Sequence, residues 1–210
     1  MIKAIIFDMD GVLIEAKEWH YEALNRALNL FGYEINRFDH LTRYDGLPTR
    51  QKLKMLTVER GLPEGLHEFI NEMKQAYTME IVHARCKPQF VQEYALSKLK
   101  AKGFKLAVAS NSIRTTVEVI MQKSRLDGYL DLKLSNEDVT QPKPDPEIFS
   151  KAIETLGQSP SEVLIIEDND HGIKAAEASG AHVLRVETVE DVSFENIMST
   201  LSRIETGGNQ

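Results

Sequence analysis

The sequence predicts an α/β protein, a doubly wound parallel sheet of the Rossmann-like kind with a small all-helical domain inserted after its first strand. Three observations predict this. Short apolar runs at 5–7, 104–110 and 163–166 are separated by segments of helical period, the pattern of strands joined by helical crossovers. Each of these runs ends abruptly in polar residues. Between Val12 and Cys86 no strand pattern occurs, only helical periodicity.

The first strand, Ile5-Ile6-Phe7, reads as buried on both faces. Asp8 follows at its carboxyl end, where open α/β sheets place their ligands. Alternate side chains share a face in extended chain, so Asp8 and Asp10 can look into one space. Gly11 permits backbone angles that a β-carbon resists. Residues 15–31 form an amphipathic helix, with Trp19, Ala23, Leu24, Ala27, Leu28 and Phe31 on one side and Gly32 at its stop. Trp19 is expected in the core of the helical domain. Residues 38–46 read as a connection, 49–60 as a helix with Thr49 as N-cap, and 63–81 as a third helix. The helical domain therefore spans 16–82, and the α/β core takes 1–15 and 83–210.

In the core, helices are expected at 90–102, 115–124, 146–156, 172–179 and 191–203. Strands are expected at 104–110, 130–134, 163–168 and 181–186, with right-handed crossovers, and 205–210 as a frayed end.

The 210 residues suffice for one substantial domain, or for a core with an insertion. A net charge of −7 without a basic tract argues against nucleic acid or anionic membrane as partner. Cys86 is the only cysteine, which excludes an internal disulfide and fits a reducing cytoplasm. No signal peptide is expected, and no apolar run reaches membrane-spanning length. A monomer or weak homodimer is expected.

Chemistry is expected at three strand ends: Asp8, Ser110-Asn111-Ser112 and Glu167-Asp168. In a parallel sheet these share one edge. Lys143 stands between Pro142 and Pro144, whose rings stiffen its backbone. Paired carboxylates suit a hard cation such as Mg²⁺, or a nucleophile beside a proton-transfer group. Each feature also has a plainer reading. Asp-x-Asp-Gly occurs in ordinary turns, although a calcium EF-hand lacks its closing Glu in register here. Ser110 and Asn111, or Glu167 and Asp168, suit helix caps, and Lys143 suits a solvated surface charge.

Taken together, Asp8-Met9-Asp10-Gly11-Val12-Leu13, Ser110-Asn111-Ser112, Lys143-Pro144-Asp145-Pro146, and Glu167-Asp168 followed by Gly172, Ala175, Ala176 and Gly180 resemble the four motifs of the haloacid dehalogenase-like hydrolases. The resemblance covers almost the whole chain. It is closest to the subgroup with a helical cap, which includes phosphoglycolate phosphatases, sugar-phosphate phosphatases and β-phosphoglucomutases. It implies that Asp8 is the nucleophile and that Asp10 protonates the leaving alcohol, then activates water. It implies that Ser110, Asn111 and Lys143 hold the phosphoryl group. It also implies Mg²⁺ bound by Asp8, the Asp10 carbonyl, Glu167 and Asp168, with Asp168 as direct ligand.

Three positions depart from the pattern: Asn169 for the serine after the two acids, Glu15-Ala16 for an acid–hydroxyl pair, and Lys87-Pro88-Gln89 for Pro-Gly. None removes a catalytic group. In the helical domain His20, Arg50 and Lys74 are candidates for substrate contact, and Arg50 and Lys74 read first as exposed helix charge. The resemblance thus implies a Mg²⁺-dependent phosphatase acting on a small phosphorylated metabolite such as a sugar or polyol phosphate. A β-phosphoglucomutase-like mutase shares that core chemistry. A receiver-like phosphoacceptor domain would lack the helical insertion.

Overall fold

The structure is a computed structural model and describes residues 1–207. Two compact units are present, Met1–Glu15 with Lys87–Gln210, and Ala16–Cys86.

The first unit is built on five parallel strands: β1 (Ala4–Phe7), β2 (Lys105–Ala109), β3 (Leu132–Leu134), β4 (Val163–Glu167) and β5 (His182–Arg185). Their order across the sheet is β3-β2-β1-β4-β5. Ile5 lies opposite Leu106 on one side and Leu164 on the other, so β1 is central and paired on both edges. All four of its residues are fully buried, which is why it reads as an uninterrupted apolar run. The chain moves outward from β1 to β2 and β3, then crosses to β4 and β5. Strand order therefore reverses at the carboxyl end of β1, the position at which doubly wound sheets open a crevice.

Helices cover both faces. Ala4, Ile6, Ala107, Ala109 and Ile165 pack with Ile148, Phe149, Ala152, Ala175 and Ala176 of α7 (Glu147–Thr155) and α8 (Asp170–Ala178). On the other face, α5 (Phe90–Ala101) packs on β2 and α9 (Phe194–Glu205) packs on α5. The helix between β2 and β3 is α6 (Arg114–Lys123).

The second unit is entirely helical among its described elements. It comprises α1 (Lys17–Asn29), α2 (Arg37–Asp39), a π-turn at His40–Tyr44, α3 (Thr49–Arg60) and α4 (His67–Arg85). Leu24, Leu28, Ile35, Tyr44, Leu53, Leu56 and Ile70 form its core. Asn25 is buried there at no hydrogen-bond cost: its side chain donates to the Ile35 carbonyl at 2.8 Å and accepts from the Ile35 N–H at 2.9 Å.

Several local expectations are corrected. Residues 38–46 are not a plain connection. Asn36 caps α2 by accepting from the Asp39 N–H at 2.8 Å, and the chain runs on into the π-turn. One turn of helix is too short to show a period in sequence. Thr49 is the first residue of α3 rather than its cap, a place taken by Pro48. The segment 63–81 is a 3-10 turn at Glu64–Leu66 followed by α4, which continues to Arg85. Trp19 is half-buried rather than core, and Phe31 is partly exposed.

α8 begins before Gly172 because the Asn169 side chain accepts from the His171 N–H. α9 begins at Phe194 because Ser193 caps it. Of the expected frayed end, Glu205 closes α9, and 208–210 lie outside the described residues.

Candidate active site

The polar residues that end β1, β2 and β4 meet at the carboxyl edge of the sheet. The Asp8 N–H donates to the Ile166 carbonyl at 2.9 Å, carrying the β1–β4 pairing one residue beyond the strand. The Ser110 N–H does the same toward the Leu134 carbonyl at 3.0 Å. Backbone pairing thus fixes where both side chains emerge.

Lys143 reaches the same point from the loop ahead of α7. It is 3 % exposed, so the surface-charge reading fails. Its Nζ donates to Asp8 Oδ1 at 2.6 Å and to Glu167 Oε2 at 2.8 Å, and lies 4.4 Å from the centre of the Phe149 ring. The Lys143 N–H donates to Asn111 Oδ1 at 3.2 Å, which ties its loop to the residue after Ser110. Farther back, Glu147 accepts from the N–H groups of Thr140 and Gln141 and holds the loop to the start of α7.

Neither pair of polar residues caps a helix. Ile113 stands at the N-cap of α6 without a side-chain bond, and Asn169 caps α8. Instead Ser110, 1 % exposed, accepts from the Ser112 N–H at 3.0 Å, which leaves its own proton to donate elsewhere. Glu167 accepts at Oε1 from the N–H groups of Asp168 and Asn169, at 3.0 and 3.2 Å. Both of its oxygens are therefore engaged, one by its own turn and one by Lys143. Gly172 makes this arrangement possible, because a β-carbon there would lie 1.9 Å from Glu167 Oε2.

The electrostatics follow from burial. Asp8 is pushed up to about 7 by burial and by Glu167, against the pull of Lys143. Glu167 is raised by burial and less by Asp168, again opposed by Lys143. Burial pulls the Lys143 ammonium down, but Asp8 and Glu167 outweigh it and hold it above the usual lysine range. Asp8, Glu167 and Asp168 each offer a carboxylate oxygen within 4.8 Å of the others. One ammonium among these acids leaves an excess of negative charge, and a set of oxygen donors matches a hard divalent cation.

Asp10 sits in the turn after β1, where Gly11 adopts φ +95° and its N–H closes onto the Ile14 carbonyl at 2.7 Å. Asp10 Oδ2 accepts from the Ser112 hydroxyl at 3.0 Å. Ser112 lies inside a recognisable motif but carried no role on sequence grounds. The one available signal was its position two residues beyond Ser110.

Within the helical unit, Lys74 Nζ is 3.3 Å from His20 Nδ1. Lys74 is 8 % exposed, so the reading of it as exposed charge is wrong, whereas Arg50 is exposed on α3. Lys52, unremarked in the sequence, is buried as well.

The description "Haloacid dehalogenase-like hydrolase" fits residues 5–186 as a family. A phosphoglycolate phosphatase from Aquifex aeolicus is 33 % identical over 179 residues, covering 85 % of this chain and 82 % of that one. A phosphorylated carbohydrates phosphatase from Thermotoga maritima is 30 % identical over 182 residues, with the same coverage of 85 % and 82 %. The solved beta-phosphoglucomutase of Clostridium difficile shares the fold, with a TM-score of 0.84 at 21 % identity over 98 % of this chain and 100 % of that one. With the family pattern matched along most of its length and the motif residues gathered at one sheet edge, the chain belongs to the haloacid dehalogenase-like hydrolases.

Proposed function

We propose that the chain is a Mg²⁺-dependent phosphatase that hydrolyses a small phosphorylated metabolite, a sugar or polyol phosphate, through an aspartyl-phosphate on Asp8. The observation that carries this reading is the Lys143 ammonium held between Asp8 and Glu167 at the mouth of the central strand. The chain is a phosphoric monoester hydrolase. The phosphatase names of relatives 33 % and 30 % identical to it support that class, and the second of them supports a phosphorylated carbohydrate.

Asp8 and Asp168, with the Asp10 carbonyl, would hold the metal. Glu167, whose oxygens already accept from Lys143 and two backbone N–H groups, would orient the site around it. When bound, Mg²⁺ offsets the negative charge of the phosphoryl group that otherwise repels Asp8.

Asp8 attacks phosphorus and the bond to the leaving alcohol breaks, while Asp10 gives that oxygen its proton. Asp10 then takes a proton from water, the water oxygen attacks phosphorus, and Asp8 is released with inorganic phosphate. Ser110, Asn111 and Lys143 stabilise the phosphoryl oxygens in both steps, the positioning and charge stabilisation on which phosphoryl transfer depends. In the helical unit His20, Arg50 and Lys74 stand as the candidates for substrate contact. The enzyme is placed in the cytoplasm, as a monomer or weak homodimer.

The test is a phosphate-release screen over aryl, sugar, polyol, glycolate and nucleotide phosphates with Mg²⁺ and with EDTA. Hydrolysis of generic aryl phosphates that EDTA stops is expected. Release from no member of the panel overturns the reading, and an isomerised sugar phosphate without free phosphate makes the chain a mutase.

A further inference from the structure

We infer that Ser112 is a positioning residue for proton transfer by Asp10. This rests on the phosphatase reading above and adds a residue to it. The Ser112 hydroxyl donates to Asp10 Oδ2 at 3.0 Å across 102 positions of sequence. Its backbone is held on both sides: its N–H donates to Ser110 Oγ at 3.0 Å, and its carbonyl accepts from the Asn136 N–H at 3.0 Å. Asn136 also donates through Nδ2 to the Asn111 carbonyl at 2.9 Å. The segment 110–112 is thereby fastened to the turn after β3, and the one rotatable group left on Ser112 points at Asp10.

A hydroxyl that donates to one carboxylate oxygen fixes the plane of the group. Oδ2 is then the anchored atom, and Oδ1 the one that gives and takes the proton. Asp10 lies in a turn rather than a strand, so its own backbone restrains the side chain less than β1 restrains Asp8. The Ser110 hydroxyl is assigned to the phosphoryl group, and the Ser112 hydroxyl donates to Asp10.

The experiment compares kcat/KM for two substrates in wild type, Ser112→Ala and Ser112→Thr. A nitrophenyl phosphate leaves without needing a proton, whereas an alkyl phosphate requires one in the transition state. Ser112→Ala should lose roughly 10-fold or more on the alkyl ester beyond its loss on the nitrophenyl ester, the order expected for a hydrogen bond to a charged group. Ser112→Thr, which keeps the hydroxyl, should restore most of it. In an Asp10→Asn background Ser112→Ala should cost nothing further, because the two act as a unit. Equal losses on both esters, or a full additional loss in the Asp10→Asn background, would show a merely structural serine and overturn the inference. If wild type hydrolyses neither ester, the phosphatase reading fails instead.

Discussion

Lys143 answers two carboxylates with one ammonium, and that sharing sets what single substitutions do. Asp8→Asn keeps the shape of the side chain and a hydrogen bond to Lys143 while removing the attacking charge. Turnover should fall by at least ~100-fold with the fold intact. Initial rates and thermal melting of the variant check this, and undiminished turnover would remove Asp8 from the role of nucleophile. The same scale explains why Glu167 and Asp168, adjacent in sequence, differ in use. Glu167 folds back onto its own turn and onto Lys143, while Asp168 contributes its carboxylate to the acidic cluster.

Elements decide whether those residues stay in place. α8 passes Glu167 so closely that Gly172→Ala drives a β-carbon into its carboxylate. Alanine would favour the helix by about 1 kcal/mol, but forcing the buried Glu167 aside costs about 1–3 kcal/mol, so the clash wins. Gly172→Ala should lower both the melting temperature and kcat/KM, the latter by about 10-fold or more as Lys143 loses one partner. Melting curves and steady-state rates would show a gain in stability instead if the space were larger.

The π-turn carries a second consequence. His40 is 1 % exposed, its ring 4.8 Å from that of Tyr21, and neither ring nitrogen has a hydrogen-bond partner among the described residues. Burial, with Lys52, His20 and Arg37 against Asp45, holds it down at about 4. The unfolded chain protonates His40 below about 6.5, whereas the folded unit refuses the proton until about 4. Stability is therefore lost as pH falls through this window, by up to about 3 kcal/mol. Urea unfolding at pH 7 and pH 5, followed by the fluorescence of Trp19, the single tryptophan, reports on this unit. His40→Phe should reduce the difference between the two pH values, and an unchanged difference would clear His40 of the effect.

At the scale of the whole molecule, the sheet edge gathers more negative than positive charge, so the metal should stabilise the fold as well as serve catalysis. Saturating Mg²⁺ should raise the melting temperature, and EDTA should reverse the rise. Asp8 must lose its proton to bind a cation, and it is pushed up to about 7 without one. The shift should therefore be larger at pH 8 than at pH 6, because acid competes with the metal. Differential scanning fluorimetry at both pH values checks this, and a shift that grows on acidification would count against Asp8 as a ligand. No helix among the described residues is long and apolar enough to cross a membrane.

By itself the sequence determined the order of strands and helices and the edge at which chemistry would gather. A buried strand needs an apolar run, and a parallel sheet puts the ends of such runs on one side, so both are written locally. It also carried the motif residues, because Asp8, Ser110 and Glu167 each terminate such a run. The one-turn helix and π-turn at 37–44 were illegible, being shorter than any period. Only the tertiary structure decided which partner each charged group takes. Lys143 meets Asp8 across 135 positions and Glu167 across 24, and Ser112 meets Asp10 across 102. Those contacts depend on how helices pack against the sheet. The burial of Lys74 is equally a matter of packing, since its neighbours along α4 do not distinguish it from an exposed lysine.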